Sequence, residues 1–394
     1  MLLNKKIPSL TTFLKAHWFI VLLTIIAAFL RLYNFRSTLI FLGDQGRDAL
    51  IVRDLLVHLD PILVGPTTSV GKIQLGPLYY YFMAPWLVLS NFDPIGPALG
   101  VALLGIITIP VLYFVTEEMF GKKTATFTST LYTFGTVIIS QTRSSWNPNP
   151  MPLVSILLIW SLFKAYKQKK YHFIIWGWIL WGIALQLHYM ALLLTPLLGI
   201  VTVLLFIQNK SDWKYISRYF LWGAGFFILL ASPLIVFDFR HNFINLAGFM
   251  EFFSKGHHSP KVWYQPLLDA EGRLYQSLGD VIGFIKVPLL RNYFSKIIFT
   301  LFLVVAWLKR QKKEYQLLAI YLLSTILGLS LYSGDVFEHY LGFAYPLAFI
   351  IIGTLLSLLW KQNTLLIKSV VLLVMGGIIG FNLLHYPYLK PLGW

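Results

Sequence analysis

No cysteine occurs among the 394 residues, which excludes disulfides, thiolate metal sites and thiol nucleophiles. Charge is scarce as well: Asp, Glu, Lys and Arg make up 12% of the chain, against roughly 25% in soluble domains. Acids are the scarcer sign, 16 against 32 bases, for a net charge of +16. No G-x-x-x-x-G-K-[ST] or G-x-G-x-x-G follows a strand-like run, so neither nucleotide hydrolysis nor dinucleotide chemistry is indicated. No acid interrupts the middle of an apolar run, which argues against an ion-coupled transporter, and no two runs read as a Gly/Pro-broken inverted repeat. What the chain has in abundance is apolar sequence, 57% hydrophobic with a mean hydropathy of +0.69. That composition excludes a compact soluble enzyme, a nucleic-acid module and a disordered chain, and predicts an all-α, polytopic integral membrane protein. The basic excess then belongs to cytoplasmic loops, and nucleic acid is not an implied partner.

Runs long enough for a bilayer fall at 17–33, 96–116, 124–142, 150–166, 171–188, 190–208, 217–237, 288–308, 315–332, 341–360 and 364–384, eleven predicted spans in one domain covering 1–394. The first follows Lys5, Lys6 and Lys15 and has no small-residue cleavage site, so it reads as a retained anchor. Basic clusters at Lys122/Lys123, Lys164 to Lys170, Lys210 to Arg218, Lys309 to Lys313, and Lys361 with Lys368 occupy alternate ends. With the N-terminus inside, all of them face the cytoplasm and most acids face out, which predicts a multi-pass plasma-membrane protein. Two outer segments, 34–95 and 238–287, exceed simple turns, and long ordered loops are usually functional. Within the first, Ala49, Val52, Leu55, Leu56 and Leu59 recur at helical spacing, predicting a helix on the membrane surface with Arg47, Asp48, Arg53 and Asp54 on its other faces. The stretch Leu78 to Leu89, with Tyr79, Tyr80, Tyr81 and Trp86, is short for a span and reads as interfacial or re-entrant.

Three polar clusters stand at the outer ends of these runs. Gly43-Asp44-Gln45-Gly46-Arg47-Asp48 places two carboxylates four apart beside an arginine, a set able to take a hydroxyl proton or hold a cation. The competing reading makes Asp44 a helix N-cap and puts Asp48 on a solvated face. Arg143-Ser144-Ser145-Trp146-Asn147-Pro148-Asn149-Pro150 is either a polar pocket wall, with Arg143 meeting a phosphate oxygen, or an ordinary inter-helix turn. The third cluster gathers Gln186 to Tyr189, Asp238 to His241, and Glu338 to Tyr340. His188, Tyr189, Arg240, His241, His339 and Tyr340 are its substrate-binding candidates, with an interfacial aromatic belt as the alternative. No two of those histidines lie at an i,i+4 ligand spacing, which disfavours a His-metal site. Lys72, near headgroup level, is a further candidate phosphate cation.

Phe41 to Ala49, then Gly76-Pro77-Leu78-Tyr79-Tyr80-Tyr81, then Ser144 to Asn149, then Leu187-His188-Tyr189 together resemble the GT-C superfamily of membrane glycosyltransferases. The likeness is strongest to the branch of protein O-mannosyltransferases and lipid A aminoarabinose transferases, in its compact bacterial form. It covers most of the chain in order, most closely over 40–190. The resemblance implies juxtamembrane helices in the first outer loop and a polyprenyl-phosphate sugar donor. It implies Asp44 as the catalytic base or acceptor-orienting carboxylate, and Arg47, Asp48, Lys72, Tyr79, Arg143, Asn147 and Asn149 are the further candidate substrate contacts. Gln45 stands where the family has a second acid, Leu75 where it has a lysine, and Gly76 where it has the first of two prolines. Asn147 and Asn149 stand where an Asp is frequent, which implies a metal-independent reaction with no cofactor, although a divalent cation stays open, and in-line attack by the acceptor hydroxyl on the anomeric carbon implies inversion. The implied partners are the donor, membrane lipids and a protein, lipid or glycan acceptor, on the extracytoplasmic face. A lipid-linked sugar flippase and a catalytically silent lipid-binding relative remain the alternatives.

Overall fold

The computed structural model describes residues 14–68, 73–254, 264–283, 285, 287–332, 334 and 336–389. Among these lie sixteen α-helices and, in place of strands, one isolated antiparallel bridge between Thr67 and Gln74. Helix α1 (Trp18–Leu32) is followed by α2 (Gly43–His58) and α3 (Leu78–Leu89) in the first long loop, then by α4 (Ile95–Phe120). Helices α5 (Lys122–Phe134) and α6 (Thr136–Gln141) occupy the predicted 124–142 run, which breaks where Gly135 leaves helical geometry at ψ 111°. Next come α7 (Met151–Gln168), α8 (Phe173–Leu187), α9 (Thr195–Gln208) and α10 (Trp213–Arg240). The second long loop holds α11 (Ile244–Ser254) and α12 (Gln265–Ile282). Helices α13 (Pro288–Leu308), α14 (Lys313–Ser330), α15 (Tyr345–Trp360) and α16 (Leu365–Leu384) complete the bundle.

Proline sets several of these starts. Pro152, Pro196, Pro266, Pro288 and Pro346 sit in the first turn of α7, α9, α12, α13 and α15, where the missing N–H removes a donor that would lack a partner anyway. All eleven predicted spans are helical, and among the described residues six segments are long and apolar enough to cross a membrane by themselves. Helix α3 is not one of them. Its 12 residues reach about 18 Å, short of a hydrocarbon core of about 30 Å.

Burial separates centre from rim. The segment His339–Trp360 is 89% buried, whereas Lys210–Arg240 is 6% buried and turns Leu221, Trp222, Leu229 and Phe239 outward. An outer helix of a membrane bundle keeps apolar side chains outside because lipid, not water, surrounds it. At the centre, Gly353 of α15 lies so close to Thr128 of α5 that an added Cβ would collide with its hydroxyl and amide. Glycine is what lets these two backbones meet.

The two long loops lie at one end of the bundle and are tied together. Asp238 accepts from the amides of Asn245 and Leu246 at 2.9 and 3.1 Å, holding the start of α11, and Asn245 Oδ1 accepts from the Gln74 amide at 2.9 Å. Tyr189 donates its hydroxyl to the Gln74 carbonyl. The polypeptide therefore closes over one end of the bundle, above the turns that open α9 and α15.

Candidate active site

That end contains a cavity of about 390 Å³, within the size range of small-molecule sites. Asp44, Arg47, Asn147, His188, Tyr189, His339 and Tyr340 from the sequence reading line it together. They come from four separate elements. Helix α2 supplies Asp44 and Arg47, and the turn between α6 and α7 supplies Asn147. Two 3₁₀ turns, Tyr189–Leu194 and Glu338–Ala344, bring in the His-Tyr pairs.

Asp44 is not the helix cap. The N-terminus of α2 is closed instead by Gln45, whose Oε1 accepts from the Leu42 amide at 2.9 Å while its side chain is buried. The residue in the family's second-acid position thus does structural work, and Asp44 is left exposed at the cavity lip. Arg47 donates from Nη1 to Asp44 Oδ1 at 3.0 Å. It also donates from Nε and Nη2 to Asp48 Oδ1 at 2.9 and 2.8 Å.

Asp48 differs from both sequence readings. It has no solvent exposure, lies on the inward face of α2 with Gln45 and Val52, and accepts from the Tyr80 hydroxyl of α3 at 3.1 Å. Burial raises its carboxyl above the usual carboxylate range against the opposing pull of Arg47 and Tyr80. The helix expected in this loop forms, with Val52 buried and Arg53 and Asp54 exposed. It departs from the expectation in that Leu59 is exposed and the buried face also carries Asp48, bonded through Oδ1 by Arg47 and by Tyr80, 32 residues along the chain.

The opposite wall is aromatic. Trp146 and His339 lie 4.2 Å apart by ring centroid, His188 and Tyr340 4.6 Å, and His339 and Tyr340 4.7 Å. His188 Nδ1 accepts from the Met190 amide at 3.2 Å, so that nitrogen carries no proton and the neutral ring bears its hydrogen on Nε2. Much of the remaining lining is apolar, with Ile73, Leu75, Leu192, Leu193, Phe249 and Leu331. The cavity is amphiphilic, with a carboxylate and a cation at one side, neutral ring donors facing them, and a greasy extension.

Other predicted site residues stand apart from this space. Arg143 is buried and directs Nη1 to the carbonyls of Arg31 and Tyr33 at 2.6 and 3.0 Å, and Nη2 to the Asn34 carbonyl at 3.4 Å and the Thr38 hydroxyl. Phe35 and Tyr388 cover its guanidinium at 5.1 and 4.1 Å. It is a knot for the chain leaving α1 and does not line the cavity: its Nη donors go to backbone carbonyls and the Thr38 hydroxyl, and two rings lie against its guanidinium. Tyr79 pairs with the Ser145 hydroxyl at 2.8 Å in the core, and Asn149 donates to the Ser144 carbonyl at 2.9 Å inside its own turn. Arg240 is exposed at the end of α10, and His241 stacks on Phe237 with Nδ1 on its carbonyl. Lys72 lies outside the described residues. Sequence reasoning placed Trp146 in a candidate pocket wall without naming it as a contact, and it missed Tyr80 as the partner of Asp48. The three consecutive tyrosines Tyr79 to Tyr81 were the signal for the latter, since helical spacing turns each one a different way.

No group of three or more His, Cys, Asp or Glu that could hold a metal ion occurs among the described residues. The nearest such chemistry is the Asp44/Asp48 pair, which Arg47 already bridges.

Residues 74–237 match the family described as dolichyl-phosphate-mannose-protein mannosyltransferase. Between 88 and 95% of the chain aligns with solved structures of ArnT and AglB, and it shares their fold. ArnT from Cupriavidus metallidurans bound to undecaprenyl phosphate aligns with a TM-score of 0.61 at 16% identity, covering 88% of this chain and 62% of that one. The same ArnT in the apo state gives 0.63 at 15% identity, covering 95% and 76%. Archaeal oligosaccharyltransferase AglB from Archaeoglobus fulgidus, in complex with an inhibitory peptide and a dolichol-phosphate, gives 0.58 at 13% identity, covering 95% and 56%. The chain thus spans less than two thirds of the lipid-bound ArnT and of AglB. No curated protein matches its sequence.

Proposed function

We propose that the chain is a glycosyltransferase that moves a sugar from a polyprenyl-phosphate donor to an acceptor hydroxyl at the extracytoplasmic face of the membrane. The observation that carries this reading is the placement of Asp44: an exposed carboxylate at the lip of an amphiphilic cavity, opposite neutral imidazole and phenol groups. The glycine-rich phosphate loops that often mark a nucleotide site do not occur in the sequence. A lipid-anchored donor needs only a greasy approach and a polar end, which is what the lining offers. Support from likeness comes from ArnT, described as bound to undecaprenyl phosphate, and AglB, described with a dolichol-phosphate.

The step is a displacement at the anomeric carbon. The acceptor oxygen bonds to that carbon while the bond to the donor's phosphate oxygen breaks, inverting the centre. Asp44 takes the acceptor's proton, and polyprenyl phosphate leaves carrying the negative charge. General-base help of this kind is worth about 10²–10⁴-fold. His188, fixed as an Nε2–H donor, supplies a neutral hydrogen bond to a headgroup oxygen, and Trp146 and Tyr340 give the sugar ring flat surfaces. No dication held by several carboxylates enters this route.

The test is an assay of the purified chain with a panel of polyprenyl-phosphate sugars and hydroxyl acceptors, reading release of free polyprenyl phosphate. The proposal expects release with at least one donor, dependent on acceptor. No release from any donor, with lipid-linked sugar instead moving between leaflets of a proteoliposome, would assign the chain to transport.

A further inference from the structure

Arg47 is the cation at the mouth, and the obvious role for it is to meet the donor's phosphate. Its bonding argues otherwise. Nε and Nη2 grip Asp48 Oδ1 at 2.9 and 2.8 Å, Nη1 holds Asp44 Oδ1 at 3.0 Å, and Tyr80 donates to the same Asp48 oxygen at 3.1 Å. Two carboxylates therefore face one guanidinium, and their local sum is negative. An arriving phosphate would meet two like charges while gaining a cation that is already neutralised. The same geometry suits holding Asp44. A forked grip on a fully buried carboxylate fixes the guanidinium plane, which a long arginine on an exposed helix would otherwise not keep. The bond to Asp44 engages Oδ1, leaving Oδ2 for an acceptor hydroxyl.

We propose that Tyr80, Asp48 and Arg47 form a positioning chain that sets the orientation of the Asp44 carboxylate, and that Arg47 is not the counter-ion of the donor's phosphate. Asp48 and Tyr80 do not line the cavity and act only through Arg47. Asp48, read from sequence as a substrate contact, becomes a support for the base. The inference rests on the reading of Asp44 as the group that takes the acceptor's proton. It adds that the carboxylate works in one held orientation.

The experiment uses the full chain in detergent or nanodiscs, with a donor that the wild type turns over. It compares Asp48→Asn, Arg47→Lys and Tyr80→Phe for kcat, donor KM and direct affinity for undecaprenyl phosphate. Asp48→Asn and Arg47→Lys are each expected to lower kcat about tenfold, because a displaced reacting group loses alignment. Tyr80→Phe is expected to lower it about threefold, with donor KM and undecaprenyl-phosphate affinity held within about twofold in all three. The Asp48→Asn/Arg47→Lys double variant should be no worse than either single one, since both break one chain. Weakened undecaprenyl-phosphate binding with kcat preserved would overturn the proposal and make Arg47 a phosphate contact. Multiplicative losses in the double variant, or unchanged kcat in all three, would also overturn it. Should Asp48→Asn fail to fold by thermal melting, Tyr80→Phe and Arg47→Lys decide by the same split. A wild type that turns over no donor refutes the glycosyltransferase reading itself and the positioning chain with it. An active wild type with unaltered variants refutes only the positioning chain.

Discussion

Two arginines, Arg47 and Arg143, each follow an apolar run in a short polar cluster, and in sequence both are equally good candidates for meeting an anionic headgroup. The structure separates them by what receives their hydrogen bonds. Arg143 is enclosed by backbone carbonyls of Arg31, Tyr33 and Asn34 and covered by Phe35 and Tyr388, so its charge is dispersed over neutral partners inside the protein. Arg47 bonds two carboxylates at the edge of a cavity, with its side chain 41% exposed. A cation among neutral dipoles stabilises chain geometry. One between a buried and an exposed carboxylate transmits a fixed position to a group that can react.

The comparison breaks most readily at Asp44. Asp44→Asn keeps the shape of the mouth and removes the proton acceptor, so transfer should fall about 10²–10⁴-fold, with undecaprenyl-phosphate affinity retained. Rates from single-turnover release of polyprenyl phosphate check this, and near-wild-type release would remove Asp44 from the chemistry.

Arg143→Met tests the other region. It strands the buried Arg31 carbonyl and the part-buried Tyr33 and Asn34 carbonyls, and a buried group left without a donor costs about 1–3 kcal/mol. Stability measured by thermal melting should drop by several kcal/mol while turnover per folded molecule stays near that of the wild type. Lost turnover in a well-folded Arg143→Met protein would reunite the two arginines in one role.

A sharper distinction comes from His188. Asn places a polar atom near the position of Nδ1 and keeps the turn that accepts from Met190, whereas Gln reaches the position of Nε2. His188→Gln should keep more activity than His188→Asn, by a factor of about ten for one headgroup hydrogen bond. The reverse order would show that only the turn matters. The smallest effect is expected at Asp93, which joins the first loop to α4. It accepts from the Ile95 amide at 3.0 Å and pairs with Arg36 at 2.6 Å, and its carboxyl is held below the usual carboxylate range by that amide bond and the arginine. Asp93→Ala should cost about 1 kcal/mol at neutral pH as a lost cap. Because the folded-state value is depressed, this contribution is present above the unfolded carboxylate range and is lost as pH falls through the folded value. Melting curves of wild type and variant should therefore converge in acid and separate near neutrality.

Much of the scaffold was legible because bilayer length and basic clusters are strong, local signals, as at Ile95–Phe120 and Leu365–Leu384. Asp44 was legible too, since an acid three residues before an arginine at a helix start is a local pattern. Other parts depend on residues distant in sequence. Nothing near Asp48 announces that Tyr80 will cover it, and nothing near Arg143 announces carbonyls more than a hundred residues earlier. The break of the 124–142 run at Gly135 shows the same limit, because an apolar run does not reveal where its helix must bend around a neighbour. The aromatic wall was read in halves: His188 and Tyr340 were named as contacts, while Trp146, which lies against His339, stood unnamed in a cluster that read as pocket wall or turn.

The most direct test of the central claim is a cryo-EM map of the full chain in nanodiscs with undecaprenyl phosphate bound. The account predicts phosphate density inside the cavity on the side of the His188 and His339 turns, with the Asp44 carboxylate held by Arg47 across the cavity from it and the Arg143 knot empty. Density elsewhere on the bundle, or an Asp44 side chain turned away into solvent, would contradict the account.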